Sequence, residues 1–186
     1  ILHTIRDPMD TLFSCFTQKF DDKGLEWAFK PETLVDMYID YLVIMNHFRK
    51  ELPGRVIDIN YEEIIDKPEE IIKNIIVDKL ELPWDEKVLN FYSSNRTVHT
   101  HSMQQVRHGL YRTSIGKWVK YQKQLEPIRK LLLPKLKSMH SQGQLPFPNK
   151  LNWLLDPNYK YNNEIDNNSL TNNKVKQKDE KSEKKI

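Results

Sequence analysis

The sequence is short of cysteine, of glycine and of long apolar runs, and each shortage removes a class of protein. Cys15 is the only cysteine, so no internal disulfide can form and no cysteine cluster can hold a metal. The glycines stand at 24, 54, 109, 116 and 143, and none belongs to a Gly-x-x-x-x-Gly-Lys phosphate loop. No run of about 18 apolar residues occurs, so no segment reads as a membrane-spanning helix. An excess of one charge is lacking too. Lys and Arg number 29 and Asp and Glu 26, a net charge of +3, without the basic stripe of a nucleic-acid binder. The opening "ILHTI" is too short for a signal peptide and has no basic flank. It starts without Met, as if inside a strand, which predicts the C-terminal part of a longer protein.

What is present is enough for one core. The chain has 186 residues, 38% of them hydrophobic and 10% aromatic. Residues 1–5 are a short apolar run that reads as the end of a buried strand. Asp7 followed by Pro8 is an N-cap with proline at the first helical position, and a helix over roughly 8–19 follows. Pro31 opens the longest helix, to about Leu52. Leu34, Met37, Tyr38, Tyr41, Leu42, Met45 and Phe48 form its apolar stripe at helical period. "RVIDINY" is β-branched and alternating, a strand ending at Tyr61. Helices are expected from Pro68, over "PWDEKVLNFYSSN", from "RTSIGKWVKY", and over 122–139 with Leu125, Ile128, Leu132 and Leu136 inward. Strand, helix, helix, strand, helix is an α/β pattern, with a parallel sheet flanked by helices. Residues 1–150 read as the domain and 151–186 as an extension. From about Asn162 the extension is Asn- and Lys-rich and should be disordered.

Ligands in parallel sheets bind at the carboxyl ends of strands, where Arg6 and Tyr61 fall. In "RDPMDTLFSCF", Ser14 follows the helix cap by roughly 10 Å of helical rise. Arginine offers a charge-assisted fork and serine a hydroxyl, a pair suited to a phosphate monoester gripped beside the helix. From spacing alone, a surface arginine and an ordinary helix serine describe them as well.

The stretch resembles the 3′-phosphate-binding segment of sulfotransferases that use 3′-phosphoadenosine 5′-phosphosulfate (PAPS). That pattern is Arg, then Asp or Asn, then Pro, with a serine eight residues after the arginine. "RVIDINYEEIIDKPEE" is similar to the family's strand, Tyr, acid and Pro-led helix. "LELPWDEKVLNFYSSNRTVHTHSMQQVRHGLYRTSIGKWVKYQKQLEPI" looks like the C-terminal part of tetratricopeptide-linked sulfotransferases, and more distantly of tyrosylprotein sulfotransferases. The resemblance covers about residues 1–135. It implies a P-loop-kinase-like α/β fold, N-terminally truncated here. It also implies PAPS as co-substrate without metal, and a hydroxyl-bearing acceptor: protein tyrosine, glycan or small molecule. By the same resemblance, Arg6 and Ser14 would hold the 3′-phosphate and Tyr61 would contact the nucleotide. Ser102 would stand near the transferred group as a transition-state stabiliser. Arg107 and Gly109 resemble an Arg-x-Gly motif, though Trp118 lies four residues further on than in the cytosolic enzymes. Residues 102–111, with Tyr111, would wrap the nucleotide, and Lys117 would contact it. Gln18 departs from the tyrosylprotein enzymes, which have a second arginine there. The compartment, cytoplasm or Golgi lumen, would be set upstream.

Other features read more plainly. His99 and His101 alternate, but no third ligand lies near, which disfavours a metal site. Trp27, Trp84 and Trp118 are packing residues, and Tyr38 and Tyr41 belong to the buried stripe. Glu62 and Glu63, taken as neighbours on a strand end, would face opposite ways and not act as an acid–base pair. The loop for the 5′-phosphosulfate and the acceptor-activating base would lie upstream, so the chain alone is expected to be inactive. A nucleotide kinase of related fold and a catalytically degenerate interaction domain remain as alternatives.

Overall fold

A computed structural model describes residues 1–20, 24–93 and 109–156. In chain order the elements are β1 (Leu2–Ile5), α1 (Pro8–Thr17), a 3-10 turn (Glu26–Phe29) and α2 (Pro31–Glu51). Then come β2 (Ile57–Asn60), α3 (Tyr61–Asp66) and α4 (Pro68–Lys73), which runs on as a π-helical turn over Asn74–Lys79. Two 3-10 segments (Glu86–Ser93 and Lys117–Tyr121), α5 (Gln122–Ser141) and α6 (Pro148–Leu155) complete the described elements. Ile1–Leu155 form one compact unit. The expected boundary at 150 falls inside α6, where Leu151 and Leu154 are buried.

The strands pair in parallel, with Leu2 opposite Ile57 and Ile5 opposite Asn60. Both therefore end at one edge, and the next residues are Arg6 and Tyr61. This is the arrangement the two strand-end residues required. The sheet has two strands among the described residues, in a helix-rich fold; it does not by itself make a P-loop-kinase-like sheet. β2 stops one residue sooner than its β-branched run predicts. Tyr61 opens α3, so Glu62 and Glu63 stand in a first helical turn and not on a strand end. The outcome for them is the same, since each has its own task. Glu62 accepts from the Asp7 amide (2.8 Å) and Glu63 from the Asn60 side chain (2.8 Å).

The core lies between α2 and α5. Leu125, Ile128, Leu132 and Leu136 are all buried, as their helical spacing predicts, and Met139 continues the row. Pro127 and Pro134 lie inside α5 but on its exposed face. Water can satisfy the carbonyls that lose a helical donor there, so the helix continues through both. On α2 the buried set is Leu34, Val35, Tyr38, Leu42 and Met45. Met37 and Phe48 are exposed, which corrects the expected stripe. The buried arc is turned toward Val35, the side facing α5, and leaves Met37, Ile44 and Phe48 on the far flank. Among the described residues no helix is long and apolar enough to cross a membrane.

Leu132 is wholly buried at this seam, whereas Leu82 is 53% exposed. Leu132→Ala should cost about 2–5 kcal/mol in urea unfolding, from lost burial plus the cavity left behind. Leu82→Ala should stay within about 0.5 kcal/mol. Equal losses would mean that the α2–α5 seam is not the core.

Candidate functional site

The two strand ends and α1 surround a cleft of about 580 Å³. Arg6 leaves β1 and lies over the Tyr61 ring, its guanidinium carbon 5.2 Å from the centroid. Such a cation–π contact keeps the arginine planar against the cleft wall. Arg6 Nη2 donates to the Ser114 carbonyl (2.5 Å). Its Nε is buried without a hydrogen-bond partner among the described residues. A buried donor of this kind is costly unless something polar reaches it. Ser14 is exposed on α1, and Gln18 caps the same helix; both line the cleft.

The far wall is the segment after Gly109. Gly116 has φ +67°, the left-handed region that glycine enters at little cost. The turn aims the Gly116 and Trp118 amides at Asp10, at 2.6 and 3.1 Å. Lys117 stands between them with its ammonium 5.8 Å from the Phe13 ring, which stacks on Tyr121 at 4.8 Å. Trp118 is buried and stacks on Trp153 at 5.6 Å. Phe91 and Tyr111 add aromatic surface to the cleft.

Burial dominates the local electrostatics. It raises the Tyr61 phenol, Arg6 opposing, so Tyr61 stays a neutral donor at neutral pH. Burial also raises Asp10, against the amides of Trp118 and Gly116 and the charge of Arg6. Asp7 caps α1 by accepting the Asp10 amide (2.8 Å). Burial lifts Asp7 to about 7, with the negative charges of Asp10 and Glu62 adding to the rise. Burial pushes the Cys15 thiol up as well, so it is no activated nucleophile. Among the described residues no group of three or more His, Cys, Asp or Glu is arranged to hold a metal.

Of the residues singled out in the sequence, Arg6, Ser14, Tyr61, Gly109, Tyr111 and Lys117 all line this one cleft. Ser102 and Arg107 lie outside the described residues, as do His99 and His101. Sequence reasoning missed Asp10, Phe13, Phe91 and the Ser114 carbonyl. Asp10 had a signal: an acid among Met9, Leu12 and Phe13 occupies an inward position and needs a partner there. A second cavity of about 410 Å³ shares Thr4, Arg6 and Ser14 with the cleft and is otherwise walled by residues such as Trp27, Met37 and Tyr38.

Residues 1–86 match the family model described as "Sulfotransferase family". The likeness to sulfotransferases is thus shown, at the level of the family and without a tetratricopeptide-linked or tyrosylprotein subtype. An uncharacterized protein of Aquifex aeolicus (strain VF5) is 35% identical over 134 residues, which is 71% of this chain and 18% of that protein. The chain therefore spans about a fifth of that curated relative's length. No solved structure matches it.

The raised Asp7 carboxyl makes stability depend on pH. Its folded value of about 7 exceeds the ordinary 3.8, so its contribution is full below about pH 4 and is lost as pH rises through 7. Asp7→Asn keeps a good helix cap and removes the titration. The variant should match the parent near pH 4 and exceed its stability at pH 8, by up to roughly 4 kcal/mol. Thermal melts across pH 4–8 check this; parallel curves for the two proteins would show Asp7 titrating normally.

Proposed function

We propose that this chain forms the 3′-phosphate side of the cofactor site in a sulfotransferase that uses PAPS, within a P-loop-kinase-like fold. One observation carries the proposal. Arg6 and Ser14, Tyr61, and Tyr111 with Lys117 come from three separate stretches of sequence, yet all line a single cleft. The residues fit such a ligand. Arg6 Nε is a buried donor with no partner among the described residues, and Ser14 offers an exposed hydroxyl beyond it. Arginine and lysine supply charge, serine and tyrosine supply direction, and aromatic rings offer stacking surface for a base.

When bound, PAPS supplies an activated sulfuryl group on its 5′ side. The residues of this chain act on the other end. Arg6 and Ser14 grip the phosphate monoester, Tyr61 holds the guanidinium flat, and Lys117 adds charge across the cleft. Such anchoring is catalytic in effect because transfer reactions of this type depend on position and charge stabilisation. Ser102 and Arg107, which precede Gly109 in the sequence, are proposed to complete the wrap around the nucleotide. The acceptor is proposed to be a hydroxyl of a protein, glycan or small molecule.

Calorimetry on the complete protein tests the assignment. Arg6→Ala should weaken binding of 3′-phosphoadenosine 5′-phosphate by about 2–4 kcal/mol, because a charge-assisted pair is lost. Adenosine 5′-phosphate, which lacks the 3′-phosphate, should bind almost unchanged. Arg6→Lys should recover only part of the loss, having charge without the fork. Equal losses for both nucleotides, or tighter binding of ATP with Mg²⁺, would overturn the proposal.

A further inference from the structure

Arg6, Asp10, Ser14 and Gln18 recur every four residues, and all four line the cleft. Three of them suit an anion. Asp10 does not: a carboxylate set between Arg6 and Ser14 should repel a phosphate. It is also fully buried, and a buried carboxylate without partners costs several kcal/mol. Its oxygens are committed elsewhere. Oδ2 accepts from the Gly116 amide (2.6 Å) and Oδ1 from the Trp118 amide (3.1 Å), over 100 residues along the chain.

We propose that Asp10 is the positioning residue of the cleft: by holding the amides on either side of Lys117, it fixes where that lysine stands. The inference rests on the nucleotide-site reading of the cleft proposed above. The hydrogen-bond geometry is specific. One carboxylate meets amides two residues apart, which the left-handed Gly116 (φ +67°) makes possible by turning the chain between them. Arg6 completes the grip from the same side, donating to the Ser114 carbonyl (2.5 Å). A cation takes the carbonyl and an anion takes the amides, so the pair matches the backbone polarity of 114–118. The carboxylate's lone pairs are thereby turned from the cleft, while the lysine between the two amides is presented to it. Phe13, three residues after Asp10, gives the Lys117 side chain its resting surface at 5.8 Å.

The test uses Asp10→Asn, Lys117→Ala and Tyr61→Phe in the complete protein, singly and in pairs. Asp10→Asn keeps the shape and turns one acceptor into a donor that cannot meet an amide. Hydrogen exchange at residues 114–118 should quicken at least about tenfold, with α2 and α5 unchanged. Binding of 3′-phosphoadenosine 5′-phosphate should weaken by about tenfold or more. Adding Lys117→Ala to Asp10→Asn should cost less than about twofold further, while Tyr61→Phe should add its full single-variant loss. A purely structural Asp10 would show no such selectivity. Unchanged exchange at 114–118, or fully additive losses with Lys117→Ala, would overturn the inference. Absence of nucleotide binding by the complete parent protein would sink the sulfotransferase reading instead, and the exchange data would then decide the role of Asp10 alone. Should Asp10→Asn fail to fold, Gly116→Ala strains the same turn without touching a carboxylate and carries the same expectations.

Discussion

The site depends on the register of one parallel strand pair. With Ile5 opposite Asn60, both strands end level, and Arg6 and Tyr61 emerge side by side. A slip of one residue would turn every side chain of one strand to the other face and separate the two. Polar contacts secure this register. His3 lies opposite Asp58 and meets it at 2.9 Å, and its other nitrogen meets the Tyr41 hydroxyl at 2.6 Å. Arg49 also holds Asp58. Burial alone would raise the Asp58 carboxyl, but Arg49 and His3 outweigh it and bring it below the ordinary range. A one-residue slip would also bring the buried Ile5 or Ile59 out to solvent. The His–Asp pair tied to Tyr41 and Arg49 of α2 adds a polar constraint to that apolar one.

From that edge the next elements are tied in turn. The amide of Asp7 donates to Glu62, linking the start of α1 to the start of α3 (2.8 Å). The Asp7 side chain caps α1 by taking the Asp10 amide, and Asp10 reaches the turn at Gly116. So a single segment of the chain, residues 6–10, touches the end of β2, the first turn of α3 and the segment that leads into α5. Each contact is a hydrogen bond to a charged group, worth about 1.5–3 kcal/mol when made and more when broken in a buried place. Together they give the cleft walls little freedom to separate without breaking several such bonds at once.

Much of this was legible from local chemistry. The cap at Asp7, the proline-led helices and the inward row of α5 all follow from spacing and residue type. So do the two strands and their common edge. The family resemblance added which residues at that edge to watch, and the six that fall among the described residues line one cleft. Less legible were features set by distant partners. The buried arc of α2 depends on which flank meets α5, and spacing defines a stripe but not the neighbour that covers it. Met37 and Phe48 were therefore placed inward when they lie on the uncovered flank. Tyr61 reads as a strand residue by propensity, yet the Glu62 contact to Asp7 favours turning the chain into α3 at that point. An acid at the inward position of Asp10 signals a partner but not which one, because its partners lie over 100 residues away in sequence.

The proposed phosphate site has Asp10 in its wall and Asp7 and Glu62 close behind Arg6, an acidic surrounding for an anion. Counting formal charges gives the wrong sign. What matters is where each charge is spent. Asp7 is buried under its own helix cap, and burial raises its carboxyl to about 7. Asp10 faces two amides and Glu62 faces a third. Backbone N–H groups thus absorb the carboxylates from behind. Arg6 has the opposite disposition: one Nη meets a carbonyl, its face covers Tyr61, and Nε has no partner among the described residues. Lys117 rests on an aromatic face, which leaves its N–H donors unpaired by that contact. Carboxylates are turned toward amides, while the cations are held by rings and a carbonyl. The dianionic phosphate proposed for the cleft would be complementary to that polarity.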